Sequence, residues 1–119
     1  MANNYVKKGD RMLYTNSTGS IIIAGAPVLV GKIFGVAAVD IPVGESENLI
    51  VEDVYEIRKA TTTVIAQGDN LYWDADGKPQ GGLSGQGCLT NVISDNVYAG
   101  KAFAGATSTD ATVQIKLNV

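Results

Sequence analysis

The stretch from Ala26 to Asp74 constrains this chain most. It runs Pro27-Val-Leu-Val-Gly31-Lys-Ile-Phe34-Gly35-Val-Ala-Ala-Val-Asp40, turns at Gly44-Glu45, continues as Glu47-Asn-Leu-Ile-Val-Glu52 and ends in Gln67-Gly68-Asp69-Asn70-Leu71-Tyr72-Trp73-Asp74. Short runs rich in β-branched and aromatic residues, cut by Gly, Pro and Asp, are too short and too often interrupted for helices. They suit strands that must turn back early. The expectation is an all-β fold: one small β-barrel or β-sandwich with short strands, Gly-rich loops and little or no helix, a barrel being preferred.

The rest of the chain follows the same pattern. Arg11 to Thr15 reads as a strand, followed by a turn over Asn16 to Gly19. Ile21 to Ile23 cannot extend into a helix past Gly25 and Pro27, so they read as a strand buried on both faces. Val28 to Val30, Ile33 to Val39, Leu49 to Val51 and Val54 to Arg58 are further strands, with a bulge or tight corner at Glu52-Asp53. Lys59 to Thr63 has room for one helical turn, although three adjacent threonines form helix poorly because their β-branches lose rotamer freedom.

Leu71 to Trp73 leads into the polar turn Asp74-Ala-Asp-Gly77, with Gly77 expected at positive φ. Tyr72 and Trp73 are expected on opposite faces, one in the core and the other toward solvent or a partner. Pro79 to Gly87 has four glycines and no periodicity, which marks a flexible loop. Cys88 to Ile93 and Tyr98 to Phe103 read as strands around an Asp95-Asn96 turn. The run Thr112 to Val119 alternates, with Val113, Ile115, Leu117 and Val119 facing a core. Gly31-Lys-Ile-Phe34 is echoed by Gly100-Lys-Ala-Phe103, a match as well explained by two similar strand entries as by duplication.

At 119 residues the chain suits a single domain, and about two-thirds of its unfolded surface can be buried. Residues 1–9 are polar and read as a flexible N-terminal arm ahead of a β domain over 10–119. No run reaches the roughly 20 apolar residues of a membrane helix, and Met1 to Tyr5 lack the basic and apolar regions of a signal peptide. Synthesis in the cytoplasm is the expectation, and the single Cys88 reads as a small buried hydrophobe.

Chemistry is poorly provided for. The chain has no histidine, which removes the commonest general base and metal ligand, and with one cysteine it has no zinc-ligand set. Gly81 to Gly87 resembles a phosphate loop, but Cys88-Leu89 follows where a Walker loop needs Lys and Ser or Thr. Asp74-Ala-Asp-Gly77 starts like a calcium loop, yet Pro79, Gly81 and Gly85 stand where ligands belong. The pairs Glu45/Glu47 and Glu52/Asp53 read as solubilising charge. The net charge of −3 and scattered cations oppose nucleic-acid binding, the only basic cluster being Lys7, Lys8 and Arg11. Catalytic residues, cofactor and metal are all expected to be none.

Four blocks together resemble the DUF2190 proteins of tailed phages and prophages. They are Asn4-Tyr5-Val6-Lys7-Lys8-Gly9-Asp10, Pro27 to Ala37, Ala66 to Asp74, and Ala111 to Asn118, in family order and spanning nearly the whole chain. The resemblance implies a capsid decoration, or cement, protein on the outer surface of the virion, with the major capsid protein as partner, as a homotrimer, and with no nucleic acid or membrane partner. The family has also carried an automatic label as a RecA/RadA-like recombinase, so a DNA-binding accessory role in recombination is one alternative. A virion-surface module binding sugar or a receptor is another. The expected capsid contact is the arm Ala2, Asn3, Asn4, Tyr5, Val6, Lys7 and Lys8, a strand-competent segment able to add to a capsid sheet edge.

Overall fold

A computed structural model describes residues 8–119. Nine strands follow one another: β1 (Arg11–Thr15), β2 (Pro27–Val30), β3 (Ile33–Ala37), β4 (Ser46–Ile50), β5 (Val54–Arg58), β6 (Asn70–Asp74), β7 (Cys88–Thr90), β8 (Val97–Ala102) and β9 (Thr112–Leu117), with no helix among the described residues. They form two antiparallel sheets, β1-β4-β3-β2 and β5-β9-β8-β6-β7. The first four strands make one sheet and the last five the other, so the backbone crosses between them once. It does so at the expected Glu52-Asp53 corner, where Asp53 has φ 79°. Asp is among the few non-glycine residues that adopt this left-handed conformation readily.

The preferred barrel is not found. The five-stranded sheet curls until its outer strands approach, but no ladder closes the gap: the backbones meet there at one parallel bridge from Lys59 to Leu89, with the Ala60 N–H donating to the Leu89 carbonyl at 2.8 Å. The other sheet covers the core instead. Phe34 and Val36 of β3 pack with Ile57, Leu71, Trp73, Leu89, Ile115 and Leu117, and Phe34 meets Trp73 at 5.5 Å between ring centroids.

A second latch joins the sheets through backbone groups. Asn118, just beyond β9, accepts a hydrogen bond from the Phe34 N–H at 3.0 Å and donates to the carbonyls of Phe34 and Val51, both at 2.7 Å. One amide thereby serves three backbone groups at the junction, and φ 52° turns it toward them. Truncating it leaves those groups without this partner. Asn118→Ala is expected to cost about 2–3 kcal/mol in urea unfolding.

The opposite face of the four-stranded sheet carries a smaller core of Ala37, Ile41 and Leu49, with Met12, Tyr14 and Ile22 packed against it. This corrects the reading of the three isoleucines. Ile22 packs against that core and bridges Ile41, whereas Ile21 and Ile23 are 51% and 55% exposed. The segment lies over one face of a sheet rather than inside it, so alternate side chains point outward.

Other local expectations also change. Tyr72 and Trp73 do face opposite sides, but both are buried: β6 lies between β7 and β8, and on its outer face Tyr98 packs edge-on against Tyr72 at 5.7 Å. That β6 position also separates the two strands expected around Asp95-Asn96; Asp95 turns at φ 61°, but β7 and β8 each pair with β6. Gly77 is not at positive φ; a Cβ there would collide with the Cys88 sulfur. Lys59 to Thr63 forms bridges and a turn through Thr62 at φ 56°. The Gly-Lys echo carries no structural equivalence, since Phe34 is fully buried while Phe103 is 53% exposed.

Candidate functional site

Of the arm residues assigned to capsid contact, Ala2, Asn3, Asn4, Tyr5, Val6 and Lys7 lie outside the described residues, as does most of the 1–9 arm. Lys8 is exposed, and Gly9-Asp10 turns into β1. β1 pairs only with β4 among the described strands, in register Arg11 to Ile50 through Thr15 to Ser46. Its far side is therefore a sheet edge, and Leu13 on it is 67% exposed. Arg11, from the basic cluster, is exposed on the same strand.

The root of the arm sits beside a cleft. The Val51 N–H donates to the Asp10 carbonyl at 3.0 Å, carrying the β1–β4 ladder one step beyond the strands. Immediately after Val51, a cleft of about 590 Å³ opens, lined by Glu52, Asp53, Val54, Phe103, Lys116 and the segment around Asn118. Glu52 and Asp53, read from sequence as solubilising charge, are both exposed. Sequence reasoning missed this cleft because Phe103 is distant in the chain from Glu52 and Asp53.

The tempting motifs resolve into structural roles. The glycine-rich run Gly81 to Gly87 leads into β7 rather than a helix, so no helix N-terminus stands behind it to hold phosphate. The run is tied down rather than free. Arg58 lies over the Trp73 ring at 5.2 Å and donates from Nε to the Gly87 carbonyl at 2.6 Å and from Nη2 to the Gln86 carbonyl at 2.8 Å. Gly87 sits at φ 84° against the indole, where a Cβ would come within 2.6 Å of the ring. Asp74 to Gly77 is a turn closed by the Gly77 N–H on the Asp74 carbonyl at 3.1 Å, with the Asp74 carboxylate accepting from the Asp76 N–H at 3.2 Å.

Two buried titratable groups lie by the β5–β7 seam. Lys59 is fully buried and donates to the Ala60 carbonyl at 3.0 Å; burial lowers its ammonium from the ordinary value, against an opposing pull from Asp110. Burial raises the Cys88 thiol, and the Asp74 carboxylate adds to that. Both shifts favour the neutral forms, which suits side chains that fill space.

The sequence matches the phage cement protein family over residues 6–117. No curated protein and no solved structure matches the chain. A match over nearly the whole chain assigns membership: the protein belongs to the phage cement protein family. Its role is accordingly that of a structural component on the phage capsid.

Proposed function

We propose that this protein decorates the outer surface of the assembled phage head and stabilises it by bridging neighbouring subunits of the major capsid protein. It does so as a homotrimer, with Ala2 to Lys8 as the capsid-contacting arm. A ligand that binds only the assembled lattice stabilises that lattice by mass action, and a trimer engaging several subunits multiplies weak contacts. The observation that carries this reading is the edge strand β1, whose side away from β4 pairs with no other described strand and can offer main-chain donors and acceptors to a capsid sheet. The cement-family match supports it.

The test mixes purified protein with undecorated heads and images them. Regular density at three-fold or quasi-three-fold positions is expected with the full chain. Removal of residues 2–8 should abolish that density while the thermal unfolding curve keeps its midpoint. Full occupancy by the truncated protein rejects the arm as the contact, and heads left bare by the intact protein reject the decoration reading itself.

A further inference from the structure

The two halves of the chain repeat one another in fold. The order β1-β4-β3-β2 is matched by β5-β9-β8-β6, with every neighbouring pair antiparallel in both. Details coincide as well. The Ile22–Ile41 bridge corresponds to Ile65–Ala106, and the Val51 N–H on the Asp10 carbonyl at 3.0 Å corresponds to the Leu117 N–H on the Asp53 carbonyl at 3.0 Å. Gly25 at φ 88° donates to the Ala37 carbonyl as Gly68 at φ 89° donates to that of Ala102, both at 2.8 Å. On the inner face of the first sheet, Met12, Tyr14, Ile22, Ala37, Ile41 and Leu49 take the places that Tyr55, Ile57, Ile65, Ala102, Ala106 and Ile115 take in the second.

The halves differ at one edge. β7 is an extra strand in the gap between β6 and the segment leaving β5: it pairs with β6, bridges Lys59 and buries Leu89 completely. The same gap in the first half lies between β2 and the segment leaving β1. There it is an apolar groove of about 460 Å³, with Tyr14, Thr18, Ile21, Ile23, Val28 and Leu29 among its walls and no charged residue. β2 pairs only with β3 among the described strands. Asn118 holds the Phe34 N–H and carbonyl on the side away from β2, so by the alternation of an antiparallel ladder the N–H and carbonyl of Leu29, opposite Phe34, point into the gap.

We propose that this groove receives an extended, uncharged segment of the major capsid protein, which adds to β2 as β7 adds to β6 and seats an apolar side chain where Leu89 sits in the second half. The molecule carries a template of that ligand in Cys88-Leu89-Thr90. The inference rests on the decoration reading and gives it a second anchor: β1 and β2 are opposite edges of one sheet, so a strand on each joins two capsid subunits through a single domain. In a second copy, the corresponding open edge is β1, which that reading commits to the capsid.

Ser17 stands where Ala60 stands in the second half, and Ala60 donates to the Leu89 carbonyl. With Ser17 replaced by the photo-reactive benzoylphenylalanine, irradiation of decorated heads is expected to join the protein to the major capsid protein. Ile21→Lys with Ile23→Lys, at two half-exposed positions on the groove, should weaken binding to undecorated heads about tenfold or more, because an adding strand would lose apolar cover and meet charge. The thermal midpoint, followed through Trp73, should hold in that variant. Decorated heads that give no such cross-link, cross-links only between copies, or unchanged binding by the double variant each overturn the groove as the site and leave the decoration reading standing. Heads left bare by the parent protein overturn both.

Discussion

Gly100→Ala is expected to remove most of the protein's stability at room temperature. Gly100 pairs with Leu117 in the middle of β8, at φ 155°, opposite a register shift between Leu71 and Tyr72 on β6. A Cβ built there overlaps the backbone carbonyl oxygen of Lys116 and lies 3.1 Å from the Asn118 nitrogen. Neither neighbour is a side-chain tip that can swing aside, so β8 and β9 would have to separate at the centre of the five-stranded sheet. Separation breaks the hydrogen bond from the Asn118 N–H to the Ala99 carbonyl, 2.8 Å long, and displaces the Asn118 amide from Phe34. The cost is about 4 kcal/mol or more, a large share of the 5–15 kcal/mol that stabilises a domain of this size. Loss of dispersion in amide resonances, or a urea midpoint near zero, is the measurement; a midpoint within a few tenths molar of the parent would contradict the steric argument.

Phe34→Ala has the second-largest expected effect, about 3–5 kcal/mol. Phe34 is fully buried and comes from the four-stranded sheet, but its ring packs in the core of the five-stranded one, against Trp73. Truncation therefore opens a cavity at the junction, where neither sheet can collapse onto the other without moving a whole strand. The backbone clasp by Asn118 remains, so the variant should unfold cooperatively with a lowered midpoint. Phe34→Leu, which restores most of the volume, should recover more than half of the loss.

The sequence made β9 readable because its apolar and polar residues alternate, and β1 because the Asn16 to Gly19 turn ends it. Val113, Ile115 and Leu117 are buried as the alternation requires, while Val119 lies past the end of the strand and is exposed. The Asp53 corner was readable for a similar reason: adjacent acids interrupt two apolar runs. What was not readable depends on which strand sits beside which. Tyr72 is covered because β8 brings Tyr98 beside it, and nothing local to Leu71-Tyr-Trp73 encodes that neighbour. The isoleucine triplet has strand chemistry, but its pairing with the segment around Ile41 leaves only Ile22 facing inward. For the candidate site, the acidic half of the cleft was visible as Glu52-Asp53. The apolar half depends on Phe103 arriving from about fifty residues downstream, a separation at which local pattern carries no information.

The Asn118 clasp has a consequence for how the molecule comes into being. The amide closes on Phe34, 84 residues earlier in the chain. At translation speeds of roughly 5–20 residues per second, that distance is a wait of about 4–17 s between the two partners leaving the ribosome. The first sheet can complete its own pairings during that interval, yet Leu29, Phe34, Val36 and Ile50 have no second sheet to cover them. Biogenesis thus includes a span of seconds in which a half-made protein displays a greasy surface, and crowded ribosomes translating this message are where adhesion between nascent chains would begin.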